Sequence, residues 1–234
     1  RRQQFARIQR LETAVINFVN MNRPLLHPLA WLAAFVAWAS AVSGQMDVSM
    51  QCVQVNQAGN TTVAWTPPAD PAGLFYQYVF HQFPANNPAN ISTTNMPNIA
   101  PSSVVAPGVN GNQGAVCFFV VTMATDGSST VSDTICNTYL TATPSLTPGF
   151  ADLSWNSPHI ATDATGGDFT VQKADGLGNW IYLGTVPDSG GMHSFEYEVE
   201  ECSEELLFRV VQADAVAACQ HESNQAGSQI NDEL

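Results

Sequence analysis

Beyond residue 45, hydrophobic and polar residues alternate over short runs, and no long helical periodicity is present. In "TVAWTPP" the alternation places Val63 and Trp65 on one face of a strand, and in "ADLSWNSP" it does the same with Leu153 and Trp155. Proline, glycine, asparagine and aspartate interrupt these runs at short intervals. Alternation of period two, bounded by turn-forming residues, predicts antiparallel β-strands packed as sandwiches.

The two tryptophan motifs belong to an internal repeat with an offset of about 90 residues, the separation of Trp65 and Trp155. Tyr78 in "FYQYVFH" matches Phe169 in "DFTVQK", and "FFVVTMA" matches "LFRVVQA", Phe118 falling on Leu207. Three matches in the same order predict two small domains, 45–138 and 139–234. Prolines in "NTYLTATPSLTPG" mark the boundary between them.

A hairpin is predicted in "FTVQKADGLGNWIYLGTV", because Gly176 and Gly178 stand between two alternating runs and supply positive φ angles. The corresponding stretch of the first repeat, 84–114, is long, uncharged and rich in asparagine and proline. Its strands cannot be placed from the pattern. Two interpretations stay open: a recognition surface, or a proline-rich edge that discourages aggregation between sheets, of which the second is favoured.

The N-terminal region contains an apolar run without charge, Leu29 to Val42, after a basic flank and before small residues. These three parts predict a secretory signal peptide over 21–44. The run is shorter than the roughly 20 residues that span a bilayer, so we expect a mature chain that is not embedded in a membrane. Residues 1–20 precede a natural start at Met21 and are expected to be a spurious or upstream extension.

The net charge of −13 at pH 7 is concentrated in the expected mature chain. Five of the seven basic residues precede residue 45, leaving Lys173 and Arg209, while removal of Glu12 from twenty acidic residues leaves nineteen. A polyanion repels phosphates, which argues against nucleic acid and anionic membrane surfaces as partners. Acidity also keeps an exported protein soluble, and this is the favoured interpretation.

Five cysteines behind a secretion signal predict an oxidising destination, where pairing is the default. Their positions in the repeat predict the bridges Cys117–Cys136 and Cys202–Cys219, each worth about 3 kcal/mol in the chain-entropy picture. Cys52 is left over, either free and buried or displacing one partner of a pair, because first and last strands often lie adjacent at a sandwich edge. Thiols for redox chemistry or structural zinc would lie in closer pairs.

Three stretches together carry a family resemblance: "CVQVNQAGNTTVAWTPPADPAGLFYQYVFH", "CFFVVTMATDG" with "SDTIC", and "FRVVQADAVAACQHESN". They resemble the fibronectin type III-like repeats of gliding-motility-associated surface proteins of Bacteroidetes, which are exported by the type IX system. The resemblance implies an all-β fold of two tandem fibronectin type III or immunoglobulin-like β-sandwiches. The tyrosine usual on the sixth strand of such domains is replaced by Phe119 or Phe208. Nothing resembles a C-terminal sorting domain, so we expect an N-terminal fragment of a larger protein.

The sequence predicts no catalytic, cofactor or metal motif. The five histidines are scattered and are interpreted as solvated or core residues: His27, His81, His159, His193 and His221. Six glutamates in "EYEVEECSEE", 196–205, are interpreted as a solvated acidic face rather than a carboxylate pair for glycoside hydrolysis. Asp163 and Asp168 offer oxygen ligands for calcium, which stays unassigned. Asn60 and Asn90 stand in glycosylation acceptor motifs.

These observations predict a secreted or cell-surface structural or adhesive protein that performs no catalysis and binds no cofactor. Its expected partners are other surface proteins or glycans. The alternative is a carbohydrate-binding or accessory module of a secreted hydrolase. In that case an aromatic side chain such as Trp180, which follows a Gly-Asn turn, would contact the sugar, although it fits equally well as a packing residue of the hairpin.

Overall fold

The computed structural model describes residues 46–70, 73–147, 149–159, 167–199, 205–213 and 219–229. Within these ranges the chain forms sixteen β-strands and no α-helix. The expected signal peptide at 21–44 and the extension at 1–20 lie outside the described residues.

The first half contains eight strands. Three of them form one end of a long sheet, and the other five form a second sheet that faces it. In chain order they are β1 (Ser49–Val55), β2 (Thr61–Thr66), β3 (Phe75–Pro84), β4 (Ser92–Met96), β5 (Ser103–Val105), β6 (Val116–Ala124), β7 (Ser129–Val131) and β8 (Ile135–Cys136). Strands β1, β2 and β5 are neighbours in one sheet, and the other has the order β4-β3-β6-β7, with β8 also pairing with β6.

The second half repeats this arrangement. Its strands are β9 (Leu140–Pro144), β10 (Phe150–Asn156), β11 (Phe169–Ala174), β12 (Trp180–Val186), β13 (Met192–Glu198), β14 (Glu205–Ala213), β15 (Gln220–Glu222) and β16 (Ala226–Gln229). Strands β13, β10 and β9 form one sheet, and β12, β11 and β14 lie in the other, where β15 and β16 both pair with β14. The prediction of fibronectin type III-like sandwiches is confirmed.

Both tryptophans fill the same position in their sandwiches. Trp65 meets Tyr78 edge-to-face with ring centroids 5.8 Å apart, and Trp155 meets Phe169 at 5.7 Å, both at an interplanar angle of 73°. Each tryptophan belongs to a separate cluster of buried residues. The strands carry their large apolar side chains at alternate positions because only one face of each is turned to the core.

The register of one repeat match differs from the prediction. Phe118 and Val120 are buried in the first core, and Phe208 and Val210 are buried in the second. Phe118 therefore corresponds to Phe208, one residue later than the sequence match suggested, because a slip of one residue turns every side chain to the other face. Phe119 points outward and stacks on His81, with ring centroids 4.3 Å apart.

The predicted hairpin is formed by β11 and β12. Gly176 and Gly178 have φ angles of 73° and 92°, which residues with a Cβ rarely adopt. The side chain of Asp175 holds the turn by accepting hydrogen bonds from the N–H groups of Leu177 and Asn179 at 2.8 and 2.9 Å. In the first half, the stretch that could not be placed from the pattern contains β4 and β5.

A single sheet joins the two sandwiches, in the order β12-β11-β14-β15-β1-β2-β5. Strands β1 and β15 run parallel, with Gln54 opposite Glu222, and the N–H of Val53 donates to Nδ1 of His221 at 3.3 Å. The short strand β15 thereby extends the sheet of the second half onto that of the first.

The disulfides differ in one pairing from the prediction. Cys117 and Cys136 are joined, and they stand directly opposite each other on β6 and β8. The predicted pairing of Cys219 with Cys202 is wrong, because β15 brings Cys219 beside β1, where it is joined to Cys52 with a Cα–Cα distance of 6.0 Å. Cys52, which the prediction left without a partner, is therefore paired, and Cys202 lies outside the described residues.

The first residues of the expected linker between the halves are buried and held by asparagine side chains. Asn137 and Thr138 are almost completely buried. The amide of Asn137 accepts from the N–H of Val116 at 2.6 Å, and Asn224 accepts from the N–H of Leu140 at 2.7 Å and donates to its carbonyl at 2.9 Å. Asn224 thus satisfies both backbone groups of Leu140, as a neighbouring strand would.

Candidate functional site

A buried polar cluster lies at one end of the second core. Asp188 accepts hydrogen bonds from Ser157 Oγ at 3.1 Å and from Gln212 Nε2 at 2.8 Å, and its other oxygen lies 3.1 Å from His193 Nε2. Ser157, His193 and Gln212 are all buried. This cluster could not be predicted from the sequence, because Asp188 lies in a loop and its partners come from three other segments.

Serine, histidine and aspartate together invite comparison with a nucleophilic triad. In a triad the histidine stands between the hydroxyl and the carboxylate, so that it can take the proton of the nucleophile. Here Asp188 stands between Ser157 and His193, and the serine hydroxyl donates to the carboxylate instead. The arrangement gives no activated nucleophile, and its effect is to fix the loop at Asp188 against the core.

The carboxyl of Asp188 is held in its ionised form. Burial raises its pKa, but hydrogen bonds from the Gly190 N–H, Gln212 and Ser157, together with His193, outweigh burial and hold the pKa below its usual value. A carboxylate that accepts several hydrogen bonds is favoured in the charged form. Hydrogen bonds therefore compensate the negative charge of Asp188 beside a mostly apolar core.

The other histidines do not form a metal centre in the described part of the chain. His221 is buried beside β1, and its ring meets that of His159 at a centroid distance of 5.4 Å. His81 lies on the outer face of the first sandwich, where burial lowers its pKa. Across the described residues, no group of three or more histidine, cysteine, aspartate or glutamate side chains could hold a metal ion. Asp163 and His27 lie outside the described residues.

The acidic run follows the predicted alternation as far as it can be traced. Glu196 and Glu198 are exposed on β13. The residues that alternate with them, Phe195 and Tyr197, are half-buried against the core. Glu200 to Glu204 fall outside the described residues. The described part of the run is an outward-facing acidic surface.

Trp180 is covered by a cation. The guanidinium carbon of Arg209 lies 4.3 Å from the centre of its ring, and Arg209 is in turn held by Gln172 through a hydrogen bond of 2.7 Å. A ring face occupied by a guanidinium group is not open to stack on a sugar. Trp180 therefore acts as a packing residue of the sheet face.

A cleft of about 700 Å³ opens at one end of the first sandwich. Its walls are the end of β3 with the turn that follows, and the loop that leads into β6. Tyr139, from the segment between the sandwiches, closes one side. Amide side chains dominate the polar lining: Gln82, Asn86, Asn90, Asn110 and Gln113. The volume lies within the range of small-ligand sites, about 300–1,000 Å³.

The cleft is formed by the uncharged stretch at 84–114 that the sequence marked out. Between Asp70 and Asp126 the chain has no Asp, Glu, Lys or Arg, and none of the residues lining the cleft is charged. The absence of charge was visible in the sequence. The cleft itself was not, because its two walls are brought together only by the pairing of β3 with β6.

Comparisons with known proteins give a structural likeness at low sequence identity. No protein-family model and no curated protein matches the sequence. Among solved structures, the selenomethionine-substituted chicken interferon gamma receptor alpha chain aligns at 10% identity, covering 79% of this chain and 96% of that chain with a TM-score of 0.34. The assignment of the fold rests on strand order and core packing.

A search for membrane spans found no helix of sufficient length and apolarity in the described ranges.

Proposed function

We propose that this chain is an extracellular structural and adhesive module that performs no chemical step. In this proposal domains 45–138 and 139–234 follow a cleaved leader and form a rigid unit of a larger gliding-motility-associated surface protein. The family part of the proposal is supported by the cysteine and tryptophan stretches that resemble those repeats.

The observation that carries the proposal is the junction. The two sandwiches share one sheet through β1 and β15, and the Cys52–Cys219 bridge crosses the same place. A flexible linker would let the two halves reorient, whereas here the connecting residues Asn137 and Thr138 are buried. Two domains joined by a sheet, a covalent bridge and a buried linker form a stiff spacer.

The disulfides and the charge support an extracellular location. Disulfides persist in oxidising compartments and are rare in reducing ones. An acidic surface resists association in crowded surroundings. Sandwiches of this class serve many binding and structural roles, so the fold alone selects no ligand.

Single-molecule stretching of the full chain, held by its two ends, tests the spacer. The oxidised chain should not extend through the 167 positions between Cys52 and Cys219. A Cys52→Ser, Cys219→Ser variant should release an additional length on the order of 490–530 Å, at 3.3–3.6 Å per residue for the 167-residue separation less the 19 positions that the Cys117–Cys136 bridge still holds. The matched Cys117→Ser, Cys136→Ser variant keeps the Cys52–Cys219 bridge, which encloses both of these positions, and should release no additional length.

Residual dipolar couplings of the oxidised full chain provide an independent check. One alignment tensor should describe both sandwiches. Two independent tensors in the oxidised protein would contradict a rigid spacer, as would release of the additional length before the bridge is broken.

A further inference from the structure

The cleft of the first sandwich has a chemistry that selects its ligand. Its polar lining consists mainly of primary amides, which present two N–H donors and a carbonyl acceptor each. Hydroxyl groups likewise donate and accept. A charged ligand would find no counter-charge here and would lose its hydration without compensation. A wholly apolar ligand would leave the amides unpaired.

Two aromatic residues complement the amides. Phe83 lies at the end of β3 and Tyr139 in the segment between the sandwiches, and both line the cleft. An aromatic ring provides an apolar surface for C–H groups, while the tyrosine hydroxyl can join a polar network. Alternating apolar and hydroxyl-bearing faces are the chemistry of a sugar ring.

One acceptor at the cleft lacks a partner. Gln82 donates from Nε2 to the carbonyl of Pro107 at 2.7 Å, which ties the end of β3 to the opposite wall. Its Oε1 is buried and has no hydrogen-bond partner among the residues that the structure describes. A buried acceptor in this state is destabilising unless a donor reaches it.

The loop wall is held in place before any ligand arrives. The N–H of Gly111 donates to the carbonyl of Gly59 at 2.8 Å, and a Cβ at Gly111 would come within 2.6 Å of the Val55 side chain. Asn110 Oδ1 accepts from the N–H of Asn112 at 3.0 Å. A wall fixed in this way spares the ordering entropy that a mobile loop would lose on binding.

We propose that this cleft binds a neutral glycan. A neutral peptide is the competing occupant, because it too offers amide donors and acceptors. Peptides that dock on sandwiches commonly pair with an exposed strand edge, and the cleft includes only Ser92 of edge strand β4. The lining from turns and a loop favours the glycan. The spacer role proposed above does not depend on this site.

The test uses the full chain made in a host without N-glycosylation, so that Asn90 stays unmodified. Short neutral oligosaccharides of glucose, mannose, galactose and xylose are titrated while the side-chain amide signals of asparagine and glutamine are followed by NMR. Oligogalacturonate provides an acidic probe, and an uncharged Asn/Ser-rich peptide provides the competing one. At least one neutral oligosaccharide should shift cleft amide signals at millimolar concentration, and oligogalacturonate should not.

Variants locate the binding. Asn86→Asp and Gln113→Glu keep the side-chain shape and add charge, and each should weaken binding roughly tenfold or more. Neither side chain makes a hydrogen bond within the described part of the chain, so both variants should fold. Asn95→Asp, exposed on β4 outside the cleft, is the matched control. Tyr139→Leu should also weaken binding, and Tyr182→Leu on the second sandwich should not.

Four results would overturn the proposal. Three of them are no shift with any neutral oligosaccharide, equal binding by Asn86→Asp and Asn95→Asp, and preferential binding of the peptide to the cleft. A preference for oligogalacturonate would also contradict it, because the argument rests on an uncharged lining. None of these results would affect the spacer proposal, which the stretching and residual dipolar coupling experiments test separately.

Discussion

Between residues 71 and 125 the first sandwich has no Asp, Glu, Lys or Arg, whereas the second is densely acidic. Of the twenty acidic residues, Glu12, Asp47, Asp70, Asp126 and Asp133 precede residue 139, which leaves fifteen after it. The cores nevertheless repeat the same tryptophan contact at 5.8 and 5.7 Å. The core-facing residues maintain the same fold in both sandwiches, so the surface residues can differ in charge and in role.

The sandwiches also differ in how they are cross-linked. The first has a bridge of its own, Cys117–Cys136, whereas the described part of the second has none and is tied to the first through Cys219. The second sandwich therefore depends on its neighbour for covalent stabilisation. Three sets of substitutions separate the contributions of the disulfide bridge, the core tryptophans and the buried carboxylate to stability.

Removal of the bridge between the sandwiches should have the largest effect. In the chain-entropy picture a closed loop of 167 residues contributes about 5 kcal/mol. The Cys52→Ser, Cys219→Ser variant should show two calorimetric transitions, the second sandwich melting first because the first retains its own bridge. The Cys117→Ser, Cys136→Ser variant is the control and should lower only the transition of the first. An unchanged single transition would show that the halves are coupled by the sheet alone.

Truncation of the two core tryptophans tests whether the cores are equivalent. Trp65→Ala and Trp155→Ala should each lower the free energy of unfolding by about 3–5 kcal/mol, because each empties a completely buried site. Chemical denaturation of the two variants should give losses that agree within about 1 kcal/mol. A much smaller loss for one of them would mean that its core relaxes around the cavity and that the likeness is only geometric.

Neutralisation of Asp188 should have the smallest effect and a distinctive pH dependence. Since the folded-state pKa lies below the unfolded value of about 3.9, the carboxylate stabilises the fold above that value. This contribution is lost as the pH falls through the folded pKa. Asp188→Asn should cost about 1–3 kcal/mol at neutral pH and flatten the acid limb of stability against pH. Asp152→Asn, on an exposed position of β10, is the control; equal acid limbs in both variants would contradict the role of Asp188.

The sequence supported the strands and the cores because these depend on local alternation. Trp65 and Trp155 could be placed inside from their neighbours alone. The pairing of Cys219 could not, since the repeat suggested a partner within the same half, and β1 lies 167 residues away from it. The cleft could be predicted only in part. The lack of charge in 84–114 indicated the region, but the walls of the cleft come together only in the folded sandwich.

The position of Cys219 near the end of the chain also fixes an order of events during folding. As the polypeptide emerges from its N-terminus, the Cys117–Cys136 bridge can close once residue 136 is available. Cys52 must wait for a further 83 residues, the difference between 219 and 136. Through that interval β15 is not yet available to pair with the edge of β1, and the thiol of Cys52 on β1 is unpaired. Early closure of the short bridge reduces mispairing, because it removes Cys117 and Cys136 and leaves Cys202 as the one cysteine that Cys52 can meet before Cys219.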